Sequence, residues 1–255
     1  MNSLCGTLFV YNGESMDYCY LEAIKCLTEF CDYTIVVDAG SDDGTVEKLK
    51  ELTYDNFKLI ILDKSEWDAQ KGKEKLNYFT NIAIQEADRM GFAYQFNLQS
   101  DEIVHEKSYD VIRRAIQDNC DGYLCSRINL WESPYKKLIA PQNRQPCSTK
   151  IIRLAKVNRR SVGDAESLGV NELETKYAED IRIYHMGFVR DRRIMKSKVI
   201  HMQENVFGVN HDPKLDNSDV FVPQRWFGAE DLELIDEPLP KIIQSWAAER
   251  AAKNN

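Results

Sequence analysis

Blocks of apolar and polar positions alternate along the first hundred residues. Gly6 to Tyr11 is a short apolar run and predicts a strand. From Asp17, apolar residues recur at Tyr20, Leu21, Ile24, Leu27 and Cys31, the spacing of one helix face. Tyr33 to Val37 is continuous and rich in β-branched residues, as in a strand buried on both faces. Thr45 to Leu52 predicts a helix through Val46, Leu49 and Leu52, and Phe57 to Leu62 predicts a third strand. Leu76, Phe79, Ile82, Ala83 and Ala87 mark a third helix, and Ala93 to Leu98 a fourth strand. Strands and helices in strict alternation imply right-handed crossovers and a mostly parallel central sheet, an α/β fold.

Beyond Asp101 the pattern changes. Lys107 to Gln117 is helical, and Asp121 to Trp131 reads as a strand. Ser133 to Thr149, with Pro134, Pro141 and Pro146, predicts a long loop or irregular hairpin. Lys150 to Ala155 and Ile181 to Met186 read as strands, and Arg192 to Glu204 as a helix. The tail is interrupted by Pro213, Pro223, Pro238 and Pro240 before a short helix over Lys241 to Ala252. There is no internal repeat. The expected division is a catalytic domain over 1–205, with a nucleotide-binding half (1–106) and an acceptor and metal half (107–205). Residues 206–255 form an extension packed on it.

Composition narrows the function classes. The chain of 255 residues is 43% hydrophobic, ordinary for a globular domain, and no stretch reaches the roughly 20 apolar residues that span a bilayer. The N-terminus reads as a first strand rather than a signal peptide. Seven cysteines without zinc-type spacing read as reduced core thiols, the pattern of a cytoplasmic protein. The net charge of −8 conceals an asymmetry: residues 107–200 hold 19 Lys and Arg against 11 Asp and Glu. The middle of the chain is where an anionic ligand would be drawn, while the acidic whole argues against indiscriminate nucleic-acid binding.

In a parallel sheet, ligands bind beyond the carboxyl ends of the strands. Three polar clusters fall at those ends: Asn12-Gly13-Glu14, then Asp38-Ala39-Gly40-Ser41-Asp42-Asp43-Gly44, then Gln99-Ser100-Asp101-Glu102. Ile35 to Thr45, a hydrophobic strand running into D-x-x-S-x-D-G-T, resembles the first motif of glycosyltransferase family 2. Phe96 to Glu102 resembles its second, a strand ending in D-x-D-E, about sixty residues further on. Tyr78 to Ala83 is similar to the R-N-x-A helix of that family, and His185-Met186-Gly187 to its H-x-G. Three positions depart from the pattern: Gln99 stands for the first aspartate of D-x-D, Thr80 for the arginine of R-N-x-A, and Tyr11 for an arginine after the first strand.

The resemblance implies a GT-A fold and an inverting transfer of sugar from a nucleotide-diphosphate sugar to an acceptor hydroxyl. It implies Asp101 and His185 as ligands of Mn2+ or Mg2+, which neutralises the departing diphosphate. Asn12, Glu14, Asp38, Gly40, Asn81, Gln99 and Ser100 would line the donor pocket. Arg190, Arg192 and Arg193 would clamp the diphosphate, and Lys75, in a basic set with Lys71 and Lys73, would reach a phosphate. The general base falls in Gly163-Asp164-Ala165-Glu166, as Asp164 or Glu166. Trp131 and Trp226 are candidates for stacking on a sugar or base. The expected acceptor is a glycan or small molecule, with a hydroxymethylated DNA base a further candidate. Two rivals remain: a nucleotidyltransferase, for which the turn after the first strand is poor in glycine, and a GT-A-like module that binds without turnover.

Overall fold

The computed structural model describes residues 2–170 and 174–253. Strands are β1 Leu4–Val10, β2 Tyr33–Asp38, β3 Phe57–Ile61, β4 Tyr94–Asn97, β5 Glu102–Val104, β6 Gly122–Trp131, β7 Lys136–Leu138, β8 Lys150–Lys156, β9 Ser161–Val162, β10 Ser167–Leu168, β11 Thr175–Phe188 and β12 Leu232–Leu234. Helices are α1 Tyr20–Phe30, α2 Thr45–Lys50, α3 Lys64–Ala69, α4 Glu74–Arg89, α5 Tyr109–Ala115, α6 Arg192–His201 and α7 Gln244–Lys253.

The main sheet runs β12-β7-β6-β8-β4-β1-β2-β3, with β11 beside β6 and β5 beside β11. Strands β3, β2, β1 and β4 are parallel. Strand β8 is reversed against both β4 and β6, while β6 and β11 run parallel. The chain turns from β1 to β2 to β3 and then returns to place β4 on the other side of β1. The carboxyl ends of β1 and β4 therefore diverge around a crevice, the position where such sheets bind ligands.

Both faces of the central strands are covered, which is why they read as continuous apolar runs. Leu4, Leu8, Val10 and Val36 meet Ala23, Ile24 and Leu27 of α1, with Ile112 and Trp246 in the same core. On the other face Cys5, Ile35 and Val37 meet Ala83 and Ala87 of α4. Helix α1 starts at Tyr20, not Asp17, because Asp17 has a left-handed φ of 50°. The seven cysteines are free thiols, and no helix among the described residues is long and apolar enough to cross a membrane.

Six elements escaped the sequence pattern. Helix α3 and strands β5, β7, β9, β10 and β12 span six residues or fewer, too short to show a period. The late strand is also longer than its apolar core: β11 runs from Thr175 because its exposed first half pairs along β6. The helix expected over Arg192 to Glu204 ends at His201 and continues as a π-turn over Met202–Val206.

The surplus of cations in 107–200 is largely matched by acids elsewhere in the fold. Arg113 pairs with Asp32, Arg160 with Asp88, Arg144 with Asp231 and Lys137 with Glu233. Glu237 gathers three donors: Arg182 and the Tyr184 hydroxyl at 2.7 Å each, and Lys107 at 3.2 Å. Burial would raise its pKa, but these hydrogen bonds outweigh that and hold it down at about 2. A depressed folded-state pKa stabilises above the unfolded value and is lost as pH falls through the folded one. Unfolding titrations should therefore show stability falling between pH 4.5 and about 2, with that component absent in Glu237→Gln.

Candidate functional site

A cavity of about 570 Å³ opens at the divergence of β1 and β4. Its polar end presents Gln99, Ser100, Asp101, Arg127, Asp164, Glu166, His185 and Lys198. Its apolar walls come from Tyr11, Tyr18 and Trp67 on one side and Met195, Val199, Met202, Val206 and Phe207 on the other. Tyr11 and Trp67 stack at 3.7 Å, nearly parallel, with the Lys75 ammonium 4.4 Å from the indole centroid.

Asp101 follows β4 and is 6% exposed. Its Oδ2 accepts from Lys198 Nζ at 3.1 Å and lies 3.7 Å from Arg190. Its Oδ1 lies 3.7 Å from His185 Nε2. Burial would raise the carboxyl pKa, but the cations Lys198 and Arg190 hold it well below the usual range. Burial pushes the Lys198 ammonium down to about 8, helped by Arg190 and opposed by Asp101. Lys198 also donates to the Gly187 carbonyl at 3.0 Å. Gly187 must be glycine, since a Cβ there would sit 2.3 Å from His185 Nε2.

The imidazole state follows from its neighbours. Asn129 Nδ2 donates to the Cys147 carbonyl at 3.0 Å, so its Oδ1 turns toward the ring. His185 Nδ1 lies 3.0 Å from that oxygen and carries the proton. Burial pushes the ring pKa down to about 4, so the imidazole is neutral and Nε2 faces Asp101 with a bare lone pair. Two acceptors facing one another suit a cation. Asp101 and His185 are the two residues that would hold a divalent cation here. No group of three or more His, Cys, Asp or Glu that could hold a metal occurs among the described residues.

Beside this cluster lies a charge-balanced one. Glu102 is fully buried, 2.7 Å from Arg153 and 3.3 Å from Arg127. Arg127 also binds Glu166, whose carboxylate accepts from Ser148 N at 2.7 Å and Ser148 Oγ at 3.0 Å. Glu166 is thus committed to holding Arg127 and the Ser148 loop. Asp164, half-buried at the cavity, accepts only a long bond of 3.3 Å from Glu166 N among the hydrogen bonds described for its side chain.

The other predicted residues divide. Gln99 and Ser100 line the cavity, tied to Ala165 O and Phe9 O. Arg190 is buried beneath it, donating to the Met16 and Gly187 carbonyls. Asn12, Glu14 and Asp38 hold the strand ends together instead of lining it. Asn12 exchanges hydrogen bonds with Asp42. Glu14 binds Tyr20 and Lys48. Asp38 Oδ1 accepts from Gly40 N and Ser41 N, while its buried Oδ2 has no partner. Gly40 adopts φ +89°, and a Cβ would meet the Lys64 backbone at 2.5 Å. Asn81 pins β9 to α4 through Ser161 N and O. Arg193 is exposed on the outer side of α6. Trp131 and Trp226 pack away from the cavity against Phe221.

Sequence reasoning missed Lys198, Arg127 and Trp67. Lys198 carried a readable signal: Met195, Lys198, Val199 and Met202 fall at i, i+3, i+4 and i+7, so a lysine interrupts an otherwise apolar helix face.

The mixed sheet, with a parallel β3-β2-β1-β4 half and a reversed β8, makes the fold GT-A-like. Among solved structures the chain is similar to S. aureus TarS residues 1–349 in complex with UDP, at 13% identity over 78% of this chain and 65% of that one, with a TM-score of 0.47. It is likewise similar to a second S. aureus TarS structure, at 13% identity over 80% of this chain and 40% of that one, also with a TM-score of 0.47. The chain therefore spans less than two thirds of the length of either. No protein-family model and no curated protein matches it.

Removing the Asn81 amide strips two hydrogen bonds from Ser161 without touching the cavity. Chemical denaturation should show Asn81→Ala destabilised by about 1–3 kcal/mol, with ligand affinity at the cavity unchanged.

Proposed function

We propose that the chain is a glycosyltransferase that takes a sugar from a nucleotide-diphosphate sugar and passes it, with inversion, to an acceptor hydroxyl. The observation that carries this reading is the charge at the polar end of the cavity. Asp101 faces two cationic side chains, Lys198 and Arg190, beside a neutral His185. Lys198 and Arg190 concentrate positive charge at this end of the cavity, which favours an anion such as a diphosphate. The apolar and aromatic walls would take the uncharged parts of the ligand.

In the proposed reaction the acceptor oxygen attacks the anomeric carbon. The bond from that carbon to the diphosphate oxygen breaks, and the nucleoside diphosphate leaves with the electron pair. Asp164 takes the acceptor proton, since Glu166 is held by Arg127 and Ser148. A divalent cation, Mn2+ or Mg2+, would be held by Asp101 and His185 and supply Lewis-acid neutralisation of the leaving group. Lys198 and Arg190 share that task from the protein side. The acceptor reads as a glycan or small molecule. A modified DNA base is less favoured because many cations of the middle region face acids within the fold.

Thermal melting with a panel of nucleoside diphosphates and nucleotide-sugars, with and without Mn2+, tests the donor site. One member should stabilise the wild type by about 3 kcal/mol at a hundredfold excess over its Kd, and Asp101→Ala should abolish the effect. Asp164→Asn should then lower kcat by about 10²–10⁴-fold, with donor affinity little changed. Donor binding without turnover under any acceptor would replace this reading with that of a binding module, and the absence of any nucleotide effect would overturn both.

A further inference from the structure

We propose that Gln99 is a positioning residue for Asp164: its side-chain amide holds the 163–166 turn against the end of β4, and so sets the acceptor side of the cavity relative to the diphosphate side. The inference rests on the donor reading above, with Asp164 as its base. It gives a task to the position where the second motif departs from the D-x-D pattern.

Three observations carry it. The first is a ring of hydrogen bonds that starts and ends on Glu102. Its Oε2 accepts from Gln99 N at 3.1 Å, and its Oε1 from Arg153 at 2.7 Å. Gln99 Nε2 and the Arg153 guanidinium then meet on one atom, the Ala165 carbonyl oxygen, at 3.3 and 3.1 Å. The turn that carries Asp164 is thereby tied to the residue two places before Asp101. The second is the conformation of that turn. Ala165 has a φ of 63° and is 1% exposed. An alanine keeps a left-handed backbone only where its surroundings over-determine it. Gly163 O accepts from Asn77 Nδ2 at 3.2 Å, and the Glu166 carboxylate is held by Arg127 and Ser148. Asp164 lines the cavity with one described side-chain bond, 3.3 Å from Glu166 N, so its aim is set by the backbone on either side. The third is the residue type. The group to be held is a carbonyl, which needs a donor. An aspartate at 99 is one methylene shorter, offers only acceptors when ionised, and would set a second carboxylate beside the fully buried Glu102. Glutamine supplies the reach and the N–H without a charge.

The test compares the wild type with Gln99→Met, Asp164→Asn and the double variant. The reaction is hydrolysis of the nucleotide-sugar chosen by the melting panel, with water standing in as acceptor. Methionine keeps the length of the glutamine side chain and removes its hydrogen bonds. Gln99→Met should lower kcat about tenfold to a hundredfold, with KM for the donor changed less than about twofold. In the Asp164→Asn background the same substitution should cost less than about a further twofold, because no base is left to position. Asn77→Ala releases the same turn from α4 without reaching the cavity, and should likewise lower kcat at unchanged donor KM. Amide exchange read by mass spectrometry on the protein without ligand should run about fivefold faster over residues 162–168 in Gln99→Met, with β1 and β2 unchanged. A loss that falls on donor KM instead assigns Gln99 to the nucleotide and overturns the proposal. An additive loss in the double variant, unchanged exchange over 162–168, or donor binding without any turnover overturns it too. If no nucleotide-sugar binds, the donor reading fails and takes the role of Asp164 with it, while the exchange over 162–168 still decides whether Gln99 holds the turn.

Discussion

The site depends on a carboxylate that never meets solvent. Glu102 sits at the head of β5 with no exposed surface, between the guanidiniums of Arg153 on β8 and Arg127 on β6. Charges taken this far from water are tolerated only when paired and hydrogen-bonded. Arg127 also donates to Ser148 O and Glu166, and Arg153 to Ala165 O. The two ends of the 148–166 segment are thereby tied to the middle of the sheet. Glu102 also pairs across the ladder with His185, so one residue sets the height of Asp101 before it and of the imidazole beside it.

Next to that balanced set lies the cluster around Asp101. Fold stability alone would favour matching every buried charge, as the Glu102 cluster does. Lys198 and Arg190 instead flank Asp101 at the polar end of a cavity where strand ends diverge. The same logic assigns the acids: Glu166 completes the structural network, which leaves Asp164 facing the cavity with little to hold it.

The later part of the chain turns a crevice into a cavity. Helix α6 and the π-turn after it bring Met195, Val199, Met202 and Val206 over the strand ends, and Val206 and Met202 share an apolar cluster with Trp67 and Tyr11. Local departures from regular helix of this kind recur at functional sites. Strand β12 closes the far edge of the sheet against β7, and Leu239, Ile243 and Trp246 return to the main core.

The sequence by itself determined the alternating α/β half, because each element there is long enough for its apolar period to show, and β1, β2, β4, α1 and α4 fall within a few residues of where that pattern puts them. It also determined the neighbourhood of the site, since polar clusters at strand ends must converge in a parallel sheet. It held Asp101 and His185 as a pair only through a motif, because residues so far apart in the chain carry no local sign of contact. Only the tertiary structure decided the rest. That Asn12 binds Asp42, Glu14 binds Tyr20 and Lys48, and Asp38 accepts from its own turn depends on turn geometry that their residue types do not fix. That Glu166 is held by Arg127 and Ser148 while Asp164 accepts one long bond among those described, and that Lys198 rather than Arg193 turns inward, depends on which groups burial forces into pairs. Pairing is a property of space and not of sequence separation: Lys198 and Asp101 lie 97 residues apart and meet at 3.1 Å.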